Sequence, residues 1–174
     1  MSSIPYDLKK IKAFLFDVDG VLSTLITTIG PDGTPLRTAN ARDGYAIKLA
    51  VERGFHLGVI TGGDNTLTKM RMNYLGVHDF YNLSRNKLRD YTEFKDKYAL
   101  RDEEIVYIGD DIPDIPVLTH CGLSVAPMDA APEVMHVSTY ISPKRGGEGV
   151  VREVIEQTLL AQNLWHTRDI LLDW

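Results

Sequence analysis

The stretch KAFLFDVDG, residues 12–20, decides the fold. Its first five residues form a short apolar run that is typical of a buried β-strand. The run ends in Asp17 and Asp19, followed by a glycine, which indicates that the strand opens into a polar loop. This part of the chain therefore predicts a core strand with acidic side chains at its carboxyl end.

Apolar runs and amphipathic segments alternate along the rest of the chain. They predict strands at residues 56–60, 78–81, 105–108, 123–126 and 139–141. Between them, helices are predicted from a cap at Asp43 to Gly54, at residues 64–75 and 88–98, after Pro113, and along the apolar stripe from Val150 to Leu159. This alternation implies right-handed β-α-β crossovers, and hence a three-layer Rossmann-like α/β fold with a central, mostly parallel sheet. Residues 21–38 predict a β-hairpin after the first strand, with its turn at residues 31–33.

Length and composition limit the function classes. The 174 residues suit a single domain, with an N-terminal extension at 1–11 and a C-terminal tail at 163–174. The net charge of −5 argues against a nucleic-acid partner. No apolar run is long enough to span a bilayer, so no membrane contact is expected. The single cysteine excludes an internal disulfide, which favours a cytoplasmic location.

Polar side chains follow four of the predicted strands, at the point where each strand ends. The segments that carry these side chains are residues 17–19, 61–63, 87 and 110–114. In a parallel sheet the site lies beyond the carboxyl ends of the strands, so we expect the four segments to meet.

The acidic residues among these segments indicate a metal site. Five aspartates in one small region repel each other unless a cation lies among them, and oxygen ligands favour Mg²⁺. With the metal bound the site could accept a phosphate, to which Thr61 and Lys87 would donate. One carboxylate could then attack the phosphorus, while Asp19 protonates the leaving oxygen. The five aspartates are Asp17, Asp19, Asp110, Asp111 and Asp114.

The four segments, in this order, resemble the four motifs of the haloacid dehalogenase-like phosphohydrolases. The resemblance implies that Asp17 is the nucleophile and a metal ligand, and that Asp19 is the general acid and base. It also implies that Asp19 lends its main-chain carbonyl to the metal and that Asp110 completes the protein's ligands. Thr61, Gly62 and Lys87 would hold the phosphoryl group, Asp114 would orient Lys87 or a metal-bound water, and Asp111 is a weaker candidate.

Motif spacing leaves no room for the cap domain that many members of this superfamily carry. Residues 18–60 and 88–109 are filled by the predicted hairpin, helices and strands. Over nearly its whole length the chain resembles the capless phosphatases of 3-deoxy-D-manno-octulosonate 8-phosphate (KDO 8-phosphate), which act in lipopolysaccharide precursor synthesis. The resemblance implies a homotetramer in which neighbouring subunits cover each active site, with the apolar hairpin as a natural contact. The substrate would also meet residues Asn40, Arg42, Asp43, Gly44, Lys48 and Arg71, besides Asp19 and the phosphate-holding residues.

The sequence departs from that family at two places, and these departures leave the identity of the substrate's sugar undecided. Gly63 and Asp64 follow Thr61-Gly62 where relatives often carry a basic residue, and the hairpin begins Leu22-Ser23-Thr24-Leu25 where relatives commonly have an Asp-Gly pair. A nine-carbon sugar-acid 9-phosphate is therefore the alternative substrate. Two alternative functions lie outside the phosphatases: a phospho-acceptor signalling domain and a catalytically silent subunit.

Overall fold

The computed structural model describes residues 2–165. In chain order the strands are β1 (Ala13–Phe16), β2 (Thr28–Ile29), β3 (Pro35–Leu36), β4 (His56–Ile60), β5 (Asp79–Tyr81), β6 (Ile105–Ile108), β7 (Leu123–Ala126) and β8 (Tyr140–Ile141). The α-helices are α1 (Ala41–Glu52), α2 (Thr66–Tyr74), α3 (Lys87–Lys97), α4 (Ile115–Leu118), α5 (Pro132–Val137) and α6 (Val150–Ala161).

Six of the strands form one parallel sheet in the order β5-β4-β1-β6-β7-β8. β1 lies between β4 and β6, with Phe16 opposite Val59 on one side and Ile108 on the other. These three strands are almost wholly buried, as the sequence predicts. Because they end nearly level, the residues that follow them meet at one edge of the sheet.

Helices cover both faces of the sheet, which confirms the predicted three layers. Successive side chains of a strand point to opposite faces. Phe14 and Phe16 accordingly pack in a core cluster with α1 and α6, while Ala13 and Leu15 pack in a second cluster with α3, α4 and α5. The two clusters fix β1 from both sides and so hold its carboxyl end in place.

The predicted hairpin is present, but its paired strands β2 and β3 are only two residues long. Its loop has Gly33 at φ +82°, a left-handed conformation that favours glycine. Within residues 2–165 no further unit is inserted between the sheet elements, in agreement with the predicted absence of a cap domain.

Asp43 was predicted to cap α1, and this prediction is wrong. The cap is Asn40, whose side chain accepts a hydrogen bond from the amide of Arg42, so α1 begins earlier. Asp43 lies buried within α1, and its Oδ1 accepts a 2.7 Å hydrogen bond from the amide of Arg152 in the first turn of α6. Asp43 therefore satisfies the amino end of a different helix, whose own preceding residue, Gly149, has no side chain to do so.

The remaining differences concern short elements and ends. The helix expected after Pro113 is a 3₁₀ turn, Ile112–Asp114, followed by α4, and the six-residue α5 was not predicted.

None of the helices in the described part of the chain is long and apolar enough to cross a membrane. Most of the predicted tail, from residue 166 onward, lies outside the described residues. The assignment of the whole chain to one domain stays a prediction.

Candidate functional site

The four predicted segments meet in a cavity of about 620 Å³ at the carboxyl edge of the sheet. Asp17 follows β1, Thr61 follows β4, and Asp110 lies two residues beyond β6. Lys87 is the first residue of α3, which Asn86 caps by accepting from the amide of Arg89. The cavity is lined by these residues together with Asp19, Gly62, Gly63 and Asp111, among others. The structure thus brings together the residues predicted to carry the chemistry.

Lys87 connects two of the aspartates. Its Nζ lies 2.6 Å from Oδ2 of Asp17 and 2.7 Å from Oδ1 of Asp114, and the lysine side chain is only 7% exposed. Burial opposes the charge of the ammonium, but the charges of Asp17 and Asp114 outweigh it and raise the pKa of Lys87 above its usual value. Lys87 is therefore a fixed cation beside the predicted nucleophile.

Asp114 is fully buried and accepts hydrogen bonds at both oxygens. Oδ1 accepts from Lys87 and from the hydroxyl of Tyr107 at 2.5 Å, while Oδ2 accepts from the amides of Asp110 at 3.1 Å and Asp111 at 3.3 Å. With four donors, this carboxylate is committed to holding Lys87 and the acidic loop in place. The predicted orienting role of Asp114 toward Lys87 agrees with this geometry.

Tyr107 was missed by the sequence reasoning. It occupies a strand position that looks like ordinary core, and burial raises the pKa of its hydroxyl well above the usual value. The available signal was a hydroxyl-bearing residue in an otherwise aliphatic strand that leads directly into an acidic loop.

Three carboxylates could hold a metal ion here. Oxygens of Asp17, Asp110 and Asp114 lie within 4.8 Å of one another. Burial raises the pKa of Asp17 to about 7, with a further contribution from the charge of Asp114. Burial, followed by the charge of Asp17, raises the pKa of Asp110 to about 8. Lys87 offsets one of these three negative charges, and the raised pKa values show that a further cation is needed to stabilise the fully ionised cluster.

The donor set fits Mg²⁺, a hard cation that prefers oxygen ligands. Each oxygen of Asp114 already accepts two hydrogen bonds, whereas each oxygen of Asp17 accepts only one, from Val18 or Lys87. Asp17 and Asp110 are therefore the carboxylates best able to hold the ion. The predicted contribution of the Asp19 carbonyl stays a prediction.

Glycine is required where Asp110 approaches the loop after β1. Gly20 has φ +73°, and a Cβ there would lie 2.0 Å from Oδ2 of Asp110. A Cβ on Gly146 would in turn lie 1.9 Å from the carbonyl oxygen of Gly20. A side chain at Gly20 would push Asp110 away from the loop after β1, and a side chain at Gly146 would push residues 146–149 away from the same loop.

Thr61 is buried, and its hydroxyl oxygen accepts a 2.8 Å hydrogen bond from Nδ2 of Asn65. That contact leaves the hydroxyl proton directed to another acceptor, as a phosphate-binding threonine requires. Asn65 was not predicted. Its only signal was a short polar residue four positions after Thr61.

Asp19 forms an ion pair that was also not predicted. Its carboxylate accepts from Nε of Arg37 at 2.8 Å and from Nη2 at 3.0 Å, and Nη1 of the same arginine donates to the carbonyl of Asp64 at 2.9 Å. Arg37 directly follows β3, so the hairpin supplies a cation to the site.

The other predicted substrate residues do not join this cavity as a group. Asn40, Asp43, Gly44 and Arg71 line a neighbouring cavity of about 480 Å³ between the hairpin, α1 and α2, while Arg42 and Lys48 line neither. Asn40 donates to the carbonyl of Gly147 at 3.2 Å. Burial raises the pKa of Asp43 to about 6. Their roles toward a substrate stay predictions.

Comparison with known proteins identifies relatives. Residues 61–154 match the family model of the haloacid dehalogenase-like hydrolases. The chain is 38% identical over 154 residues to 3-deoxy-D-manno-octulosonate 8-phosphate phosphatase KdsC of Escherichia coli K12, covering 88% of this chain and 82% of that protein.

Two solved structures share the fold closely. The phosphatase of the same name from Yersinia pestis superposes with a TM-score of 0.87 at 36% identity, covering 91% of this chain and 86% of that one. The Moraxella catarrhalis phosphatase, solved in complex with a magnesium ion, a phosphate ion and a KDO molecule, superposes with a TM-score of 0.86 at 31% identity, covering 91% of each chain.

Proposed function

The chain belongs to the haloacid dehalogenase-like hydrolases, and we propose that it is the Mg²⁺-dependent phosphatase that converts KDO 8-phosphate to KDO and inorganic phosphate. It is a phosphoric monoester hydrolase of the family's capless type. The observation that carries this proposal is the contact of Lys87 with Asp17, which holds a cation beside a carboxylate at the end of the central strand. The relatives named above support the choice of substrate.

The proposed reaction has two steps, both at phosphorus. An oxygen of Asp17 bonds to phosphorus as the bond from phosphorus to the sugar oxygen breaks, and Asp19 gives its proton to that oxygen. Asp19 then takes a proton from water, whose oxygen bonds to phosphorus and releases both Asp17 and inorganic phosphate.

The remaining residues of the cavity would stabilise the transferring phosphoryl group. Lys87 and the hydroxyl of Thr61 donate to its oxygens, and Asp114 keeps Lys87 in place through the 2.7 Å contact. Bound Mg²⁺ neutralises phosphate charge that would otherwise be repelled by Asp17 and Asp110.

The alternatives are not favoured. The named relatives act on the eight-carbon sugar acid, which argues against a nine-carbon 9-phosphate. A phospho-acceptor domain is phosphorylated once and does not release phosphate repeatedly. It would therefore not need a second aspartate, such as Asp19, to act as acid and base beside its phosphorylated residue.

We also propose a homotetramer in which neighbours cover each active site, and a cytoplasmic location. The tetramer is supported by apolar side chains of the hairpin region, Leu25, Ile26, Ile29 and Leu36, which are between 49% and 89% exposed in the single chain. Apolar residues clustered on one exposed element are typical of an interface. The single cysteine supports the location.

A phosphate-release assay tests the function. The purified protein would be offered KDO 8-phosphate, a nine-carbon sugar-acid 9-phosphate and neutral sugar phosphates, each with Mg²⁺ and with EDTA. We expect the highest kcat/KM for KDO 8-phosphate and no turnover in EDTA. A higher value for the nine-carbon ester would overturn the substrate, and turnover in EDTA would overturn the role of the metal.

A further inference from the structure

Arg37 occupies space that a side chain at residue 63 would otherwise enter. A Cβ built on Gly63 would lie 2.9 Å from Nη2 of Arg37 and 3.6 Å from Oδ2 of Asp19. The backbone of Gly63 is not among those with a positive φ, so its conformation would accept a side chain. The atom that such a side chain would meet first belongs to the guanidinium from the hairpin, and Nδ2 of Asn65 would lie 3.3 Å from the same Cβ.

The guanidinium is held firmly although it comes from an exposed hairpin. The side chain of Arg37 is 13% exposed, against 44% for that of Asp19. The contacts with Asp19 and with the carbonyl of Asp64 use three of its five N–H groups. The other two form no hydrogen bond to any residue within 2–165.

The position of Arg37 also links the two cavities. Arg37 lines the cavity between the hairpin, α1 and α2, whereas Asp19 lines the catalytic cavity. A substrate that extends from the phosphate toward the hairpin would pass this cation. Among residues 2–165 the only carboxylate that is hydrogen-bonded to the guanidinium is that of Asp19, and both of its oxygens accept from Arg37.

We propose that Arg37 is a specificity-determining residue that binds the carboxylate of the sugar acid, and that it takes the place of a basic side chain at residue 63. When the substrate carboxylate pairs with the guanidinium, Asp19 is released toward the leaving oxygen. When a phosphate ester has no carboxylate, the ion pair between Arg37 and Asp19 stays intact, and the ester is hydrolysed more slowly. This inference rests on the proposed function, because it requires a sugar-acid phosphate as substrate.

The test compares kcat/KM for KDO 8-phosphate with kcat/KM for a neutral sugar phosphate, mannose 6-phosphate. In Arg37→Ala we expect the ratio of the two values to fall about 10- to 100-fold, the range for loss of one hydrogen-bonded charge, with most of the change in KM for the sugar acid. Arg37→Lys should recover only part of the ratio, since lysine lacks the planar fork. Arg101→Ala is the matched control, because Arg101 is ion-paired at the opposite end of β6.

The decisive variant moves the cation. Arg37→Ala combined with Gly63→Arg removes the hairpin guanidinium and supplies one from residue 63, and we expect the ratio to return to within about threefold of the starting protein. An unchanged ratio in Arg37→Ala would overturn the proposal. So would a double variant that melts like the starting protein and does not recover the ratio. Failure of the proposed function is recognised separately, because the unmodified protein would then show no preference for the sugar acid.

Discussion

The hydroxyl of Tyr107 donates a 2.5 Å hydrogen bond to Oδ1 of Asp114, and both side chains are fully buried. The same carboxylate oxygen accepts from Lys87, which in turn contacts Asp17. A residue in the middle of the sheet thus reaches the predicted nucleophile through two intermediates. Tyr107 is a positioning residue in this chain of contacts.

Tyr107→Phe should lower both stability and turnover. Removing the hydroxyl leaves Asp114 with one donor fewer, and we expect the free energy of unfolding to fall by about 1 to 2 kcal/mol. Because Lys87 is then less constrained, kcat should fall several-fold with a smaller change in KM. Urea denaturation and steady-state phosphate release measure the two effects.

Tyr91→Phe is the matched control for this substitution. Tyr91 is equally buried and its hydroxyl donates to Asp102 at 2.7 Å, away from the cavity. The Tyr91→Phe variant should lose about as much stability as Tyr107→Phe, but its kcat should equal that of the starting protein. Equal kcat in both variants would show that Tyr107 serves only the fold.

Asp110→Asn should remove most of the stabilisation that Mg²⁺ gives. An ion that binds only the folded state raises Tm, and the substitution deletes one of the two best-placed ligands. Without Mg²⁺ the variant should melt no lower than the starting protein, because burial and the charge of Asp17 disfavour an ionised Asp110 and raise its pKa to about 8. Differential scanning fluorimetry with and without Mg²⁺ measures both shifts.

Asp111→Asn controls for a change of charge in the acidic loop. Asp111 is exposed and caps the 3₁₀ turn by accepting from the amide of Ile112, which asparagine can also do. Its Tm should rise with Mg²⁺ as in the starting protein. A full Mg²⁺-dependent shift in Asp110→Asn would remove Asp110 from the metal site.

Asp43→Asn should make stability less dependent on pH between about 4 and 6. Burial raises the pKa of Asp43 to about 6, so in this range the folded protein binds a proton that the unfolded chain, with a pKa near 4, does not. Stability attributable to Asp43 is therefore greatest at low pH and is lost as pH rises through about 6. Asparagine cannot ionise, and it keeps an acceptor for the amide of Arg152.

Urea denaturation at several pH values measures this effect. The free energy of unfolding of the variant, relative to the starting protein, should rise by about 2 to 3 kcal/mol from pH 4 to pH 7. Asp43→Ala, which also loses the acceptor, should be less stable than Asp43→Asn by about 1 kcal/mol. A difference that does not vary with pH would contradict the raised pKa.

The catalytic edge could be predicted from the sequence because each part of it has a local signature. β1, β4 and β6 are short apolar runs, and in a parallel sheet the residues after such runs must converge. This rule, together with the order of the motifs, was enough to predict that Asp17, Thr61 and Asp110 lie in the site. The helices on either face followed from the alternation of strands with amphipathic segments.

The contacts between distant side chains could not be predicted in the same way. Tyr107 and Arg37 acquire their roles from the residues that the fold places opposite them, and neither has a distinctive neighbourhood in the chain. Asp43 was assigned to the wrong helix because aspartate and asparagine are both good caps, and Asn40 lies three residues before it. Only the packing of α1 against α6 directs Asp43 to the amide of Arg152.

Charged substitutions in the hairpin should dissociate the proposed tetramer. Ile26 is 89% and Ile29 is 61% exposed in the single chain, and burying such a side chain contributes roughly 1.5 to 3 kcal/mol. Ile26→Asp combined with Ile29→Asp should therefore reduce the mass found by light scattering from about four times 19.5 kDa toward that of the single chain. Leu160→Asp, an exposed apolar position on α6, should leave the mass unchanged. A monomer in the unmodified protein would contradict the proposed assembly.

Asp17→Asn should abolish phosphate release while the fold is retained. The amide oxygen can still accept the hydrogen bond that the amide of Val18 now donates to Oδ1, but a carboxamide cannot form the acyl phosphate. We expect kcat to fall by at least about 10³-fold, and, because ionisation of the buried carboxylate is disfavoured, Tm without Mg²⁺ should not fall. Steady-state assays and thermal melts of the same preparation measure both. Turnover near that of the unmodified protein in a folded Asp17→Asn variant would mean that another group attacks the phosphorus.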